Sequence, residues 1–272
     1  MPSTLYAKKK WGQHFLVRES VVERIAQTSG VQAGDVVWEI GPGEGALTEK
    51  LLKAGCTVIA TEVDPRACEW LTRRFAGVPE FILHAGDVME WSEEQVSERI
   101  PQDSLLVANL PYNIATPLMV RLFANRQRWT SLTLMVQQEV AERFCATSKD
   151  GKAYGPLSLL GGLGFEARIA FSVLPEAFRP PPKVRSAVLH LIPRNSGMSP
   201  AQEQDFLGWS RRLFQARRKT LWNNVQSAFP QWTRDERLRE RLGQLRPENL
   251  DLPQWLELFQ EFQCFQESNC SP

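Results

Sequence analysis

The sequence predicts an α/β fold in which a mostly parallel sheet is followed by a smaller helical domain. Between residues 36 and 137, short apolar runs alternate with stretches of helical spacing, which is typical of a doubly wound sheet. A glycine-rich turn directly follows the first apolar run, where such a sheet usually binds a ligand. Beyond residue 200, Arg, Gln, Leu and Trp recur at helical spacing without strand-like runs. The length of 272 residues suits one large and one smaller domain.

The expected strands are almost continuously hydrophobic, which indicates that both faces of the sheet are buried. They are "VVWEI" (36–40), "TVIATE" (57–62), "FILHAG" (81–86), "SLLVANL" (104–110) and "SLTLMVQ" (131–137). Helical spacing covers 45–54, 65–76 and 117–125, and Thr116 is a candidate N-cap ahead of Pro117. Runs at 166–174 and 186–192 flank a proline-rich loop and predict an antiparallel hairpin at the sheet edge. We place the domain boundary so that the domains are 1–194 and 195–272.

Composition excludes several classes of protein. The formal net charge is only +1, from 32 basic and 31 acidic residues, so a polyanionic partner must be argued from local clusters of charge. The five cysteines include no C-x-x-C pair, and there are three histidines, so we expect no metal site and a reducing, cytoplasmic environment. No apolar run reaches about 18 residues, and we expect neither a signal peptide nor a membrane span.

The turn after the first strand predicts a nucleoside site. Gly41, Gly43 and Gly45 allow a tight turn and a close approach of the backbone to a ligand. Glu62 ends the second strand, where its carboxylate can accept hydrogen bonds from ribose hydroxyls, and Asp87 ends the third. The spacing is G-x-G-x-G without a following lysine, and an acid-lined pocket suits a ligand with a positive centre. S-adenosylmethionine fits this pattern, and NAD fits less well.

The motif "NLPYNIATPL" (109–118) then faces the methyl group that such a ligand carries. An adenine amine is a poor nucleophile, because its lone pair is delocalised into the ring. The Asn109 side-chain oxygen and the Leu110 carbonyl can accept its two hydrogens, and Pro111 stiffens the backbone that presents them. Tyr112 can stack on the base, which contributes about 1–3 kcal/mol. The motif is therefore a candidate substrate site.

Several motifs together resemble the ribosomal RNA adenine dimethyltransferase family. They are "GQHFL" (12–16), "EIGPGEGALT" (39–48), "EVD" (62–64), "GDV" (86–88), "NLPYNIATPL", "VQQEVAERF" (136–144), "FRPPPKVRSAV" (178–188) and "RRKTLWNN" (217–224). The resemblance implies a Rossmann-like seven-stranded methyltransferase sheet, mostly parallel with one antiparallel edge strand, and an all-α C-terminal domain. It also implies S-adenosylmethionine-dependent dimethylation of two adjacent adenines in small-subunit rRNA near its 3′ end, in small-subunit biogenesis.

The family's site positions carry over residue by residue. The cofactor positions are His14, Leu16, Gly41, Gly43, Glu62, Asp87, Val88 and Asn109. Phe178 matches a family aromatic residue that can stack on the face of the base opposite to Tyr112. The alternative is that Phe178 is an ordinary residue of the apolar core. His14 stands where asparagine is more usual in the family, and Trp222 stands where arginine is common.

Clusters of basic residues predict contacts with rRNA phosphates, although most charge runs are simply solvated helix faces. The candidates are Lys8, Lys9, Lys10, Lys183, Arg185, Arg211, Arg217, Arg218 and Lys219. The expected partner is 16S rRNA within a 30S subunit or its precursor, bound by a monomer, and we expect the helical domain to contact the rRNA.

Two other functions stay open at the level of sequence. The first is a large-subunit (23S) rRNA adenine methyltransferase of the macrolide-resistance type, which shares the donor site and a similar N-x-P-Y motif. The second is a ribosome-assembly factor that acts mainly by binding. "NLPY", rather than the rival's common "NIPY", and the pair of later motifs favour the small-subunit enzyme.

Overall fold

A computed structural model describes residues 13–234 and 236–270 of the chain. The chain folds into two compact units. The first contains residues 13–141 and 165–194, and the second contains 142–164 and the described residues from 195 to 270. Residues 142–164 thus pack with the helical unit, although the sequence pattern predicts them in the first domain. The functional division into a catalytic and an rRNA-contacting domain stays a prediction.

The first unit is built on β-strands in two sheets. The strands are β1 (Phe15–Leu16), β2 (Val36–Ile40), β3 (Thr57–Glu62), β4 (Phe81–Ala85), β5 (Ser104–Asn109), β6 (Trp129–Gln137), β7 (Phe165–Val173), β8 (Phe178–Arg179) and β9 (Ser186–Pro193). Seven of them form one sheet in the order β4-β3-β2-β5-β6-β9-β7. Pairing is parallel from β4 to β6, and β9 runs antiparallel to both β6 and the edge strand β7. The predicted fold class is confirmed, including the terminal hairpin.

Helices flank this sheet and make up the second unit. They are α1 (Glu19–Ser29), α2 (Ala46–Lys53), α3 (Pro65–Arg74), α4 (Glu93–Arg99), α5 (Tyr112–Ala124), α6 (Gln138–Cys145), α7 (Pro156–Gly164), α8 (Pro200–Leu213), α9 (Leu221–Ala228), α10 (Glu236–Leu242) and α11 (Leu252–Cys270). Within the described ranges, no helix is both long and apolar enough to span a membrane.

The core of the first unit explains why its strands are almost continuously apolar. Val37, Val58 and Val107, on three adjacent strands, are completely buried. They belong to one apolar cluster that also contains Ile25 of α1 and Leu51 of α2. Burying about 25 cal/mol per Å2 of apolar surface in this way is the main stabilising contribution to such a layer.

Strand β2 is the point at which the order of the sheet reverses. Its neighbours are β3 on one side and β5 on the other, so the loops beyond their carboxyl ends diverge and leave a crevice. The glycine-rich turn lies there, between β2 and α2. Gly45 has φ +79°, and a Cβ atom at this position would lie 2.8 Å from Phe75 and 2.9 Å from Leu71. Only glycine fits, because both the backbone conformation and the packing exclude a side chain.

Two local predictions were wrong or incomplete. Helix α5 begins at Tyr112, with no side-chain cap, so Thr116 is not its N-cap and Pro117 lies inside the helix. Pro117 is the sixth of the thirteen residues of α5, and it lacks the N–H that would donate a hydrogen bond to the Asn113 carbonyl. The antiparallel pairing of β1 with β8, in which Leu16 faces Phe178, was not predicted from the sequence.

The second unit has an aromatic core in which Phe206, Trp209 and Trp255 are buried. Trp209 lies against Trp255 with ring centroids 5.7 Å apart, edge to face. Within residues 142–164, Gly161 lets α7 approach residue 144 of α6 closely. A Cβ atom on Gly161 would lie 2.3 Å from the carbonyl oxygen of Phe144. The close approach of residues 161 and 144 therefore depends on the absence of a side chain at Gly161.

Candidate active site

A cleft at the carboxyl ends of β2, β3, β4 and β5 brings together both halves of the predicted site. Every residue predicted for the donor or substrate site lines it: His14, Leu16, Gly41, Gly43, Glu62, Asp87, Val88, Asn109, Leu110, Pro111, Tyr112 and Phe178. Their positions follow from the topology, since the carboxyl ends of neighbouring parallel strands meet at one edge.

Glu62 is held in place by the backbone of the cleft. It is 5% exposed, and its two carboxylate oxygens accept hydrogen bonds from the N–H of Gly43 at 3.0 Å and of Asp64 at 2.9 Å. Burial raises the pKa of Glu62, and the bonds from Asp64 and Gly43 oppose that rise. Each oxygen keeps a further lone pair, so the carboxylate can accept a vicinal pair of ligand hydroxyls.

The charges that line the cleft are acidic. Glu44, Glu62 and Asp87 contribute carboxyl groups, and no Lys or Arg of the described residues lines it. Such a surface repels a pyrophosphate and favours a ligand with a cationic centre. The donor set therefore fits S-adenosylmethionine, whose sulfonium is positive, better than a dinucleotide.

Asp87 and Val88 place a hydrogen-bond acceptor and a donor side by side in the cleft. One carboxylate oxygen of Asp87 accepts the N–H of Met89 at 2.8 Å, which fixes the side chain at the start of a short 3-10 turn. Its other oxygen and the N–H of Val88 have no partner among residues 13–234 and 236–270. An acceptor beside a donor matches the amine and the adjacent ring nitrogen of an adenine.

The orientation of the Asn109 side chain is fixed by a main-chain atom. Its Nδ2 donates a hydrogen bond to the carbonyl oxygen of His14 at 3.3 Å. The amide must place its nitrogen towards that carbonyl, so Oδ1 is left as an acceptor. Neither this Oδ1 nor the carbonyl oxygen of Leu110 receives a hydrogen bond from the residues described. Two acceptors are thus available at the end of β5.

The position of the Tyr112 ring is fixed by a hydrogen bond between its hydroxyl and the buried hydroxyl of Ser186. Its OH lies 2.8 Å from Oγ of Ser186, which is completely buried, and burial raises the pKa of Tyr112. The ring of His14 lies beside that of Tyr112, with centroids 5.6 Å apart and planes 30° apart. His14 in turn donates Nδ1–H to the carbonyl oxygen of Pro180 at 2.7 Å, since a carbonyl can only accept. The two rings border the substrate side of the cleft.

Phe178 borders the cleft but is mostly packed into the core. It is 4% exposed and belongs to the apolar cluster beneath the sheet. Its backbone pairs with that of Leu16, so the β1–β8 pair joins the "GQHFL" and "FRPPPKV" segments at one side of the cleft. Packing accounts for most of the Phe178 side chain, and only a small part of the ring is available to a base.

The predicted rRNA contacts fall into three groups. Lys8, Lys9 and Lys10 lie outside the described residues. Lys183, Arg185, Arg211, Arg218 and Lys219 are exposed, as phosphate contacts require. The guanidinium of Arg217 instead donates hydrogen bonds to main-chain carbonyl oxygens of residues 151–154. Trp222 is 8% exposed, so it packs in the helical unit rather than facing a ligand.

Two residues that line the cleft, Glu39 and Gln13, and one behind it, Ser186, were not singled out from the sequence. Glu39 is buried and accepts a hydrogen bond from Oγ1 of Thr48 at 2.6 Å, and burial raises its pKa to about 8. Gln13 donates to Asp64 at 3.0 Å, and Ser186 holds Tyr112. A carboxyl inside the apolar strand "VVWEI" was a usable signal for Glu39. Nothing local indicates the other two, since their partners lie 51 and 74 residues away.

The reversal of the sheet at β2, the acidic nucleoside cleft and the acceptor pair at its edge define a methyltransferase of the Rossmann-like class. The family model described as ribosomal RNA adenine dimethylase matches residues 5–266. This chain therefore belongs to the ribosomal RNA adenine dimethylase family.

Individual relatives agree with this assignment. Proteins named ribosomal RNA small subunit methyltransferase A are 39% identical in Magnetococcus marinus and 36% identical in Listeria welshimeri. The first alignment covers 93% of this chain and 91% of the relative, and the second covers 92% and 89%.

Solved structures show the same fold. A dimethyladenosine transferase from Plasmodium falciparum has a TM-score of 0.76 at 26% identity, covering 92% of this chain and 98% of the other. The 23S rRNA methyltransferase ErmE has a TM-score of 0.67 at 25% identity, covering 90% and 98%. The fold alone therefore does not separate the two rRNA substrates.

Proposed function

We propose that this protein transfers methyl groups from S-adenosylmethionine to N6 of two adjacent adenines near the 3′ end of small-subunit (16S) rRNA, two groups to each adenine. The observation that carries the proposal is the pair of free acceptors, Asn109 Oδ1 and the Leu110 carbonyl, at the edge of an acidic nucleoside cleft. The named relatives at 36–39% identity favour the small subunit over the large one.

The donor half of the site binds through the strand ends. Glu62 accepts the ribose hydroxyls, Asp87 accepts the adenine amine of the donor, and Val88 donates to the ring nitrogen. Gly41 and Gly43, with φ of +69° and +58°, keep the turn open to the ligand, since neither carries a Cβ atom. S-adenosylmethionine, when bound, supplies a methyl group that its sulfonium makes electrophilic.

The substrate half prepares the adenine amine for attack. Asn109 Oδ1 and the Leu110 carbonyl accept its two hydrogens and so favour a pyramidal nitrogen with a localised lone pair. Pro111 fixes the backbone between them, and Tyr112 stacks on the base once it leaves its own stack. The nitrogen becomes acidic as it gains the methyl, so its proton passes to water and no general base is required beforehand. Phe178 as the second stacking ring stays a prediction.

Methylation of purified ribosomal particles tests the function. Unmethylated 30S and 50S subunits are incubated with the protein and donor carrying a labelled methyl group, and the modified nucleotides are mapped by mass spectrometry. We expect label on two adjacent adenines of 16S rRNA, and none with Asn109→Ala. Label confined to 50S subunits would overturn the proposal in favour of a large-subunit enzyme.

Binding to immature small subunits is the second activity that we propose. The exposed basic residues of the helical unit, Arg218 and Lys219, support it. An Asn109→Ala protein that no longer methylates should still sediment with immature 30S particles. We further propose that the protein acts as a monomer, without a metal, in the cytoplasm where small subunits are assembled. No cluster of three or more His, Cys, Asp or Glu side chains suited to a metal occurs among the described residues.

A further inference from the structure

Arg217, in the basic run "RRKTLWNN", acts inside the helical unit rather than at its surface. Its Nη1 donates to the carbonyl oxygen of Lys152 at 2.8 Å, and Nη2 donates to those of Tyr154 at 2.8 Å and Gly151 at 3.3 Å. Three carbonyls around one guanidinium satisfy most of its donors. Arg217 therefore fixes the segment 151–154 next to residues 217–219.

Hydrogen bonds and packing within and around the segment also fix its conformation. Thr147 and Asp150 form a reciprocal cap, in which the Asp150 carboxylate accepts the N–H of Thr147 at 2.7 Å and its hydroxyl at 2.8 Å. These bonds lower the pKa of Asp150. Gly151 has φ +52°, which permits the sharp bend that follows. Tyr154 is 3% exposed and lies edge to face against Phe214, so the end of the segment is anchored in the core.

This segment presents two lysines beside the basic run. Lys149 and Lys152 are exposed, as are Arg218 and Lys219. No carboxylate of the described residues forms an ion pair with any of the four. Asp150 is the acidic residue nearest in sequence to Lys149 and Lys152, and its carboxylate accepts hydrogen bonds from Thr147 instead. By contrast, Arg241 in the same unit is paired with Glu261 at 2.6 Å. Cations without ion-pair partners, on two segments that Arg217 holds together, favour a polyanionic ligand.

We propose that Lys149, Lys152, Arg218 and Lys219 form one phosphate-binding surface for the rRNA substrate, and that Arg217 positions this surface without contacting RNA. The proposal rests on the proposed function, because it takes the polyanion to be rRNA. It adds the 147–155 segment to the substrate contacts and removes Arg217 from them. The two parts are separable by experiment.

The salt dependence of binding tests the surface. The full-length double variant Lys149→Gln/Lys152→Gln is compared with wild type for binding to unmethylated 30S subunits over a range of KCl concentrations. Loss of two phosphate contacts should lower the slope of log K against log[salt] by about 1.4–1.8, since each contributes about 0.7–0.9. A matched control, Lys53→Gln/Arg73→Gln, removes the same charge from exposed positions of the first unit. It should keep the wild-type slope.

The role of Arg217 is tested with Arg217→Lys, which keeps the positive charge but not the fork that reaches three carbonyls. A lysine still binds a phosphate as a point charge, so a direct contact would survive this change. If Arg217 positions the segment, Arg217→Lys weakens binding, increases hydrogen exchange in residues 148–155, and adds no further loss in the Lys149→Gln/Lys152→Gln background. A melting temperature close to that of wild type confirms that the variant is folded.

The outcomes separate this proposal from the proposed function. If the double-lysine variant has the wild-type slope while wild type still methylates 30S subunits, the surface is wrong and the enzymatic function stands. If Arg217→Lys binds as wild type does, or if its effect adds to that of the double variant, the positioning role is wrong. If wild type fails to methylate 30S subunits at all, the proposed function itself fails.

Discussion

Tyr112 allows the stacking of the base to be separated from the placement of the ring. Tyr112→Ala removes the ring, whereas Tyr112→Phe keeps the ring and removes the hydroxyl that lies 2.8 Å from Ser186 Oγ. Ser186→Ala removes the partner and leaves the tyrosine complete. Comparing the three variants shows which property of the tyrosine the reaction uses.

The structure sets the expected magnitudes. Loss of base stacking costs about 1–3 kcal/mol, which corresponds to about 5-fold to about 150-fold in the rate of transfer from bound substrate. Loss of the single hydrogen bond costs about 1 kcal/mol, or about 5-fold if all of it falls on the orientation of the ring. Because Ser186 is completely buried, Tyr112→Phe also leaves its hydroxyl without a partner and lowers stability by about 1–3 kcal/mol.

The assay is single-turnover methylation of 30S subunits at saturating donor, with donor affinity measured separately by calorimetry. We expect the rates to fall in the order wild type, Tyr112→Phe and Ser186→Ala together, then Tyr112→Ala, with donor affinity close to wild type throughout. The double variant Tyr112→Phe/Ser186→Ala should recover stability relative to Tyr112→Phe, since both partners are then gone. A Tyr112→Phe rate as low as that of Tyr112→Ala would refute the stacking argument.

Three further predictions concern the donor half of the cleft and its border. Glu62→Ala should weaken donor binding at least about 10-fold in calorimetry, because it removes the charge-assisted bonds to the ribose that we propose, while Tyr112→Ala should not; equal losses of donor affinity would contradict this division of roles. Burial raises the pKa of Glu39 from 4.5 to about 8, so the folded state retains a proton that the unfolded state releases, and the free energy of unfolding should fall as pH rises from about 4.5 to about 8. Glu39→Gln should flatten this fall in urea titrations at several pH values, and an equally steep fall in the variant would exclude Glu39 as its source. His14→Asn, which keeps a side-chain donor for the Pro180 carbonyl, should methylate 30S subunits faster than His14→Ala; the reverse order would show that the hydrogen bond is unimportant.

The seven-stranded sheet could be predicted because its strands carry the pattern of their burial. "VVWEI" and "TVIATE" match β2 and β3 to the residue, since strands covered on both faces need apolar side chains on both. The acids at their ends were equally visible, and the structure places Glu62 and Asp87 together in the cleft. Local patterns therefore sufficed to predict that these two acids lie at one edge of the sheet; their role in donor binding stays a prediction.

What the sequence did not reveal depends on contacts between distant residues. The β1–β8 pair is only two residues long on each side and joins segments more than 160 residues apart, so neither strand has a pattern of its own. The early start of α5 was hidden by Pro117, which usually marks a first turn. The basic run "RRKTLWNN" suggested uniform exposure, whereas the inward turn of Arg217 depends on carbonyls of another segment.

The hydrogen bond from Asn109 to residue 14 does not depend on which amino acid occupies position 14. Its acceptor is the main-chain carbonyl of His14, so every amino acid at position 14 offers the same atom at the same place. A substitution at position 14 therefore leaves the acceptor for the Asn109 amide in place. Asparagine and histidine at position 14 therefore offer the Asn109 side chain the same acceptor, and its orientation is the same with either residue.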